Sequence, residues 1–426
     1  MQIMRNHVEK IAGKSVYVGL SGGVDSAVSA GLLKKAGFQV TGVFIKVWQP
    51  DWIECNWQSE RRDAMRVAAH LDIPFITLDC EKEYKQGVMD YMIAEYKAGR
   101  TPNPDVMCNK TVKFGAFYDF AIEKGADYVA TGHYARIVAI SSDIATYPMV
   151  AGIADLLHSF SRPFGGAKAP RRNARLAKRD MCLENECSKS ALHLYAGNDK
   201  NKDQSYFIWN LKKEQLSHIL FPVGNMEKSE VRRLAKKFKL PNADKKDSQG
   251  LCFIGKIDFK DFLRHYVKNE KGNVISENGE VIGSHQGALF FTIGERHGFT
   301  IHHEKKSAND APYFVIEKDI EQNTITVSNR DKSEALPNAT KSVRLERVNW
   351  IDGEVPDFEV NNDDDNVLYP LFARSRYRQG LQKMRIVSCG ISQTSIEFEK
   401  PQDSLTPGQS LVIYDGDRCL GGGVIE

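Results

Sequence analysis

At 426 residues the chain exceeds the size at which one hydrophobic core stops growing, so two or three domains are expected. A hydrophobic share of 42% and a charged share of 27% exclude wholesale disorder, and no apolar run approaches the roughly 18 residues of a membrane span. The net charge of +3 permits a polyanionic partner without requiring one.

The opening MQIMRNHVEKIAGK has no apolar signal core and leads almost at once into a strand pattern. That leaves little room for a secretory or transit segment, so the expected location is cytoplasmic, with a mitochondrial one as the alternative. Eight cysteines without a secretory signal do not read as a disulfide scaffold. Each is apolar filler, a metal ligand or a reactive thiol.

KSVYVGL (Lys14 to Leu20) reads as a buried strand, followed by SGGVDS and an apolar helical run that ends at Gly37. QVTGVFIKVW (Gln39 to Trp48) is a second strand. A helix follows, with Ala64, Val67, Ala68 and Leu71 at helical spacing and Pro74 as its stop. PFITLDC (Pro74 to Cys80) and ADYVATGH (Ala126 to His133) complete four strands separated by helices. Such alternation predicts an α/β parallel sheet with helices on both faces and ligands at the carboxyl ends of its strands.

Residues 138–199 interrupt this order with a basic stretch, Arg162 to Arg179, rich in Gly, Pro and Ala, which reads as an insertion. From Leu211 to about Lys268 the pattern is helical. After about His285 it becomes β-rich, closing on a hairpin signal at Asp415-Gly416. The expected division is 1–210 for the α/β unit, 211–285 for a small helical middle domain and 286–426 for a C-terminal β-barrel.

SGGVDS (Ser21 to Ser26) lies between strand and helix. Its glycines let the backbone approach phosphate, and the helix N-terminus adds free N–H groups. Asp25 would repel phosphate unless a cation such as Mg²⁺ lies between them. No Walker-type G-K-[ST] occurs here. On glycine content alone a ligand-free βα turn is the competing reading. The loop resembles the PP-loop of the ATP pyrophosphatases, which split ATP to AMP and pyrophosphate while adenylating a substrate oxygen.

TPNPDVMCNKTVKFG (Thr101 to Gly115) places Asp105 and Cys108 in a Pro/Asn-rich loop expected just ahead of a helix. A thiol at a helix N-terminus beside Lys110 would ionise readily, as a nucleophile must. DSQGLCFIG (Asp247 to Gly255) offers Cys252 between glycines. Taken singly, either cysteine reads as filler before it reads as catalytic, and Asp105 has the rival reading of an Asx-turn beside Pro104.

Six stretches in order carry a more specific resemblance: SGGVDS, NPDVMCN, ATGHYAR, KDQSYF, DSQGLCFIG and GQSLVIYDGDRCLGGG. Together the chain resembles the tRNA-specific 2-thiouridylases over roughly residues 14–137 and 200–426. The resemblance implies ATP-dependent replacement of the 2-oxygen of a wobble uridine by sulfur, with tRNA as substrate and Mg²⁺ accompanying the nucleotide. A cysteine desulfurase or a sulfur-relay protein would supply the sulfur. It implies that Cys252 carries a persulfide and that Cys108 resolves it, leaving a Cys108–Cys252 disulfide. Alternatively, Cys252 releases hydrosulfide once Cys108 attacks it.

By the same resemblance Asp105 is catalytic, and ATP meets Gly19, Leu20, Ser21, Gly22, Gly23, Val24, Asp25, Ser26, Ile45 and Gly132. Asn103, Pro104 and Asp105 match the segment that meets the target base. His133, Lys202, Asp203, Gln204, Arg376, Tyr377 and Gln409 match tRNA contacts, and no resident metal site is implied. The family joins ATGHYAR to KDQSYF by a short strand pair, whereas about sixty residues intervene here. Cys182 and Cys187 lack the spacing of a zinc knuckle. Cys55, Cys80, Cys389 and Cys419 match no catalytic motif and read as filler. Two rivals remain open: an ATP pyrophosphatase acting on a small-molecule acid or amide, and an inactive RNA-binding module.

Overall fold

The computed structural model describes residues 13–52, 57–140, 191–247, 259–266, 270–302, 311–330, 340–355, 371–390, 393–402 and 405–426. Cys55, the basic stretch with Cys182 and Cys187, and Cys252 lie outside the described residues.

Five parallel strands form the first sheet, in the order β3 (Phe75–Asp79), β2 (Gln39–Lys46), β1 (Ser15–Gly19), β4 (Tyr128–Ala130) and β7 (Ile219–Leu220). β2 shows why both faces are covered. Val40 and Phe44 join one apolar cluster, while Val43 and Ile45 join the other. Helix α1 (Val24–Lys35) lies in the first cluster, with nine of its residues buried. A helix apolar on most sides must be enclosed, and the later helix Lys228–Lys237 packs in the same cluster through Val231, Leu234 and Ala235. Gly31 permits that approach, since a Cβ there would stand 2.9 Å from the Phe238 ring.

Two expectations need correction. HILFPVG was expected to be helical, yet Ile219 and Leu220 form the fifth parallel strand, beside Val129 and Ala130. The stretch from Leu211 to Leu240 also buries its apolar residues in the first cluster, so it completes the α/β unit and is not a separate helical domain. The cause is length. A short apolar run fits strand or helix equally, and the vacant sheet edge decides.

A second sheet, in the order β10 (Phe299–Ile301), β9 (Val281–His285), β8 (Gly272–Ser276), β12 (Thr324–Ser328) and β11 (Phe314–Asp319), has its own core around Val274, Phe291, Val315 and Ile325. The β-rich tail expected after about His285 is therefore two bodies.

The last body closes on itself. Strands β13 (Thr340–Trp350), β16 (Gln393–Gln402), β15 (Gln382–Cys389), β14 (Leu371–Arg374), β17 (Ser410–Asp415) and β18 (Arg418–Ile425) are hydrogen-bonded in that order, and β13 pairs again with β18. The GGG in β18 belongs to the closure. A Cβ on Gly421 would lie 2.0 Å from the Asn349 carbonyl oxygen, and one on Gly422 would lie 2.4 Å from that of Leu411. The hairpin of β5 (Ala135–Ile140) and β6 (Ala191–Ala196) leaves the first unit and joins this barrel through the pair Tyr195 and Arg418. The parallel sheet and the barrel remain separate sheets, and the hairpin that follows β4 in the chain is the part of the first unit that extends the barrel's strand network.

Candidate active site

The site grows from the turn after β1. Gly22 takes φ +73°, and a Cβ on it would lie 2.7 Å from the Glu60 carbonyl oxygen, so only glycine fits. Gly23 is the N-cap of α1 and no side chain caps it, which leaves the opening N–H groups to a ligand or water. Ser26 Oγ donates to the Gly23 carbonyl at 3.2 Å and accepts from the Ser21 N–H at 3.3 Å, closing the loop upon itself. Asn242 Nδ2 donates to the carbonyls of Gly22 and Gly23, each at 3.0 Å. Its Oδ1 is buried without a partner. Gly132 meets the loop from the next strand end, where a Cβ would stand 2.7 Å from the Ser26 amide nitrogen. The cradle is thus built from Leu20 to Ser26 together with Gly132. Ile45, buried at the end of β2, turns its side chain into the second core cluster, which leaves its backbone for the strand-end crevice.

Asp25 is not alone there. The Lys228 ammonium lies 2.8 and 2.9 Å from its two oxygens, and Tyr134 donates its hydroxyl at 2.9 Å. Burial and then the Asp25 carboxylate push the Tyr134 phenol well above its ordinary pKa, so it stays a donor. Lys228 also meets Asp247 at 2.8 Å, and Asp247 is held further by Lys202 at 2.8 Å and Arg232 at 2.6 Å. Burial opposes the Asp247 charge, but hydrogen bonds from Lys202 and Lys228 outweigh it and hold the carboxyl far below its usual range. Asp247 opens the DSQGLC stretch, so the segment that carries Cys252 starts from an anchor shared with the phosphate loop.

The helix of the NPD segment begins earlier than expected. Asn103 caps it, its Oδ1 accepting from the Val106 N–H at 3.3 Å, and Pro104 occupies the first turn. Asp105 therefore sits in the opening turn of Pro104–Cys108. Cys108 ends that helix, one turn further in, where the chain continues as a π-helical segment, Asn109–Ala116. The expected loop thiol at a helix N-terminus is corrected accordingly. Cys108 is fully buried, in one cluster with Val88, Met89, Val112, Phe117 and Phe262. Lys110 lines a cavity of about 420 Å³ with Asn109, Phe207 and Lys212, where burial and then Arg347 and Lys212 lower its pKa.

The residues expected at RNA divide by exposure. Arg376 is exposed, and Tyr377 is half-buried with its ring 4.8 Å from that of Phe207. The Gln409 amide donates to the Thr101 carbonyl at 2.9 Å, which pins the TPGQS turn of the barrel onto the NPD segment. Gln204 Oε1 accepts from the Tyr134 N–H at 3.0 Å, which joins KDQSYF to TGHYAR. Two side chains point inward instead. His133 is buried against Phe114 and Phe221, and burial together with the Lys113 charge keeps it neutral. Asp203 is buried in an ion pair with Arg374. What these two offer is the position of their segments, not a charged surface.

Among the cysteines read as filler, Cys389 is exposed. Burial pushes Cys80 and Cys419 up to about 12. Alkylation needs the thiolate, and at pH 8 only ~10⁻⁴ of such a thiol is ionised. Iodoacetamide at pH 8 should therefore leave Cys80 and Cys419 unlabelled in the folded protein and label both in urea, as read by peptide mass spectrometry. Labelling of either under native conditions would show that its pocket opens.

Comparison with known proteins follows the same divisions. A model described as the tRNA methyl transferase HUP domain matches residues 14–151 and 174–256. One described as the tRNA methyl transferase PRC-barrel domain matches 260–329, and the Aminomethyltransferase beta-barrel domain matches 340–425. The tRNA-specific 2-thiouridylase MnmA of Thiobacillus denitrificans is 40% identical over 412 residues, covering 96% of this chain and 99% of its own. The enzyme of that name from Streptococcus thermophilus is 38% identical over 413 residues, 96% of this chain and 95% of its own. The chain belongs to the tRNA-specific 2-thiouridylase family. In this 2-thiouridylase-family chain the sequence motifs had flagged Asp25 but neither Lys228 nor Asn242, which meet the phosphate loop only through the fold. A lysine at the start of a helix and an asparagine after a proline carry no local signal.

Proposed function

We propose that the protein is an ATP-dependent tRNA-uridine 2-sulfurtransferase acting on the wobble uridine in the cytoplasm. The observation that carries this reading is the network around Asp25, which links segments from four of the six motifs: Tyr134 of TGHY touches Asp25 directly, Asp247 of DSQGLC reaches it through Lys228, and KDQS joins through Gln204 on Tyr134 and Lys202 on Asp247, in a chain that named 2-thiouridylases match over 96% of its length. No helix among the described residues is long and apolar enough to cross a membrane.

The uracil 2-carbonyl is a weak electrophile with oxide as its leaving group. Attack of its oxygen on the α-phosphorus of ATP forms an O–P bond, expels pyrophosphate and turns that oxygen into part of an AMP leaving group. The cradle from Ser21 to Ser26 suits the phosphates, with open helix N–H groups and a glycine backbone free of Cβ obstruction. Asp25 would hold Mg²⁺, which would supply charge neutralisation on the phosphates.

Persulfide sulfur on Cys252, delivered by a cysteine desulfurase or a relay protein, then attacks C2 and AMP departs. The Cys108 thiolate attacks the Cys252 sulfur and breaks the S–S bond to the transferred atom, so 2-thiouridine leaves and a Cys108–Cys252 disulfide remains. A thiol reductant returns two electrons to reopen it. Asp105, in the opening turn of the helix that ends at Cys108, handles protons at the base, and Asn103 to Asp105 meet that base. Lys202, Gln204, Arg376, Tyr377 and Gln409 belong to segments that serve the tRNA backbone and bases.

The test is nucleoside mass spectrometry of unmodified tRNA incubated with the protein, ATP, Mg²⁺, cysteine and a cysteine desulfurase. 2-Thiouridine that depends on ATP is the expected product. Pyrophosphate release without thiolation would turn the reading towards another acceptor, and tRNA binding without either product would leave an RNA-binding module.

A further inference from the structure

Lys228 belongs to no motif of the sequence, yet it occupies the centre of the charge network at the phosphate loop. Its ammonium contacts both Asp25 oxygens and Asp247, and its side chain is only 15% exposed. The Lys228 backbone N–H donates to Asp199 Oδ2 at 3.0 Å at the first residue of the helix Lys228–Lys237, so the root of the side chain is fixed. The Tyr134 ring lies 5.9 Å beneath the ammonium, and the Tyr134 hydroxyl shares Asp25 with it. A four-carbon stem on a fixed root gives the charge a short arc of travel.

The two carboxylates that hold it are not equally dependent on it. Asp247 keeps Lys202 and Arg232 if Lys228 leaves. The contacts shown for Asp25 would be reduced to the neutral Tyr134 hydroxyl, and Asp25 stands in the first turn of the helix whose uncapped N-terminus faces the loop. A polyphosphate entering that loop meets the Asp25 charge as a repulsion and the Lys228 charge as an attraction. A cation taking the Asp25 carboxylate frees Lys228 for the phosphates.

We infer that Lys228 is a polyphosphate-binding residue that exchanges its Asp25 ion pair for the pyrophosphate portion of the bound nucleotide. The inference rests on the ATP-dependent reading above. It accounts for a semi-buried lysine shared between two acids at the mouth of a phosphate loop. It also gives Asp247 a function, as the anion that keeps Lys228 near the loop while the nucleotide is absent.

Isothermal titration of ATP, AMP and inorganic pyrophosphate, each with and without Mg²⁺, into the native protein and the variants Lys228→Met, Lys228→Arg and Asp25→Asn tests it. Lys228→Met should weaken ATP and pyrophosphate by about tenfold or more, as loss of a charge-assisted contact does, with AMP changed less than about twofold. Lys228→Arg should restore most of the loss. Asp25→Asn should tighten ATP in the absence of Mg²⁺, because it removes the repulsion and frees the lysine, and weaken it in the presence of Mg²⁺. AMP binding serves as the control for an intact loop.

Equal losses for ATP and AMP in Lys228→Met, or unchanged ATP affinity, would overturn the inference while the ATP-dependent reading stands. A native protein that binds neither ATP nor pyrophosphate would overturn that reading and the inference with it.

Discussion

Replacing Cys108 or Cys252 by alanine is expected to abolish 2-thiouridine while tRNA-dependent release of pyrophosphate persists. The adenylation half-reaction needs the phosphate loop and the target oxygen, whereas sulfur transfer needs a persulfide carrier and a thiolate to resolve it. Loss of an essential nucleophile should reduce turnover by ~10³-fold or more. Cys108 makes the experiment informative because it is fully buried in the second core cluster. Its thiol is closed off from solvent. Alanine at position 108 removes one buried sulfur, and a melting curve separates any loss of folding from loss of chemistry. Thiolation surviving in Cys108→Ala would eliminate the disulfide route. Alanine at Cys80 or Cys419 should leave thiolation intact.

The largest expected effect on stability lies where the barrel meets the α/β unit. Arg374 and Asp203 are 8% and 4% exposed at their side chains and form an ion pair. Asp203 also accepts from the N–H groups of Gly197 at 2.8 Å and Ser205 at 3.0 Å, and from Ser205 Oγ at 3.1 Å. Arg374 donates to the Tyr414 hydroxyl at 2.7 Å. Arg374→Met strands a buried carboxylate, which should cost about 3–5 kcal/mol in urea unfolding. The double variant Arg374→Met with Asp203→Asn should recover part of that loss, because the uncompensated charge is gone while several hydrogen bonds persist. A single-variant loss below about 1 kcal/mol would mean that water reaches Asp203. Activity should fall in the single variant through displacement of Lys202 and Gln204, the neighbours of Asp203 that face Asp247 and Tyr134.

Sequence patterns reached furthest where local chemistry dictates shape. Gly22 stands where φ is positive and a carbonyl is close, so SGGVDS could be read as a tight strand-to-helix turn before any fold was known. Asn103 and Pro104 are a cap and a first-turn residue, and the only error was in starting the helix too late. The earlier start puts Cys108 at a buried helix end instead of in a loop ahead of the helix, which no periodicity could reveal because the segment is π-helical from Asn109.

The sequence by itself determined the α/β order and the barrel at the C-terminus, because βα alternation, turn glycines and strand-turn spacing are local properties. Tertiary structure decided the remainder. Ile219 and Leu220 became a strand because a sheet edge stood open, His133 and Asp203 turned inward because apolar rings and Arg374 offered them partners, and Lys228 met Asp25 across 203 positions of chain. Such pairings depend on which surfaces the chain brings together, and a single sequence carries no local mark of them.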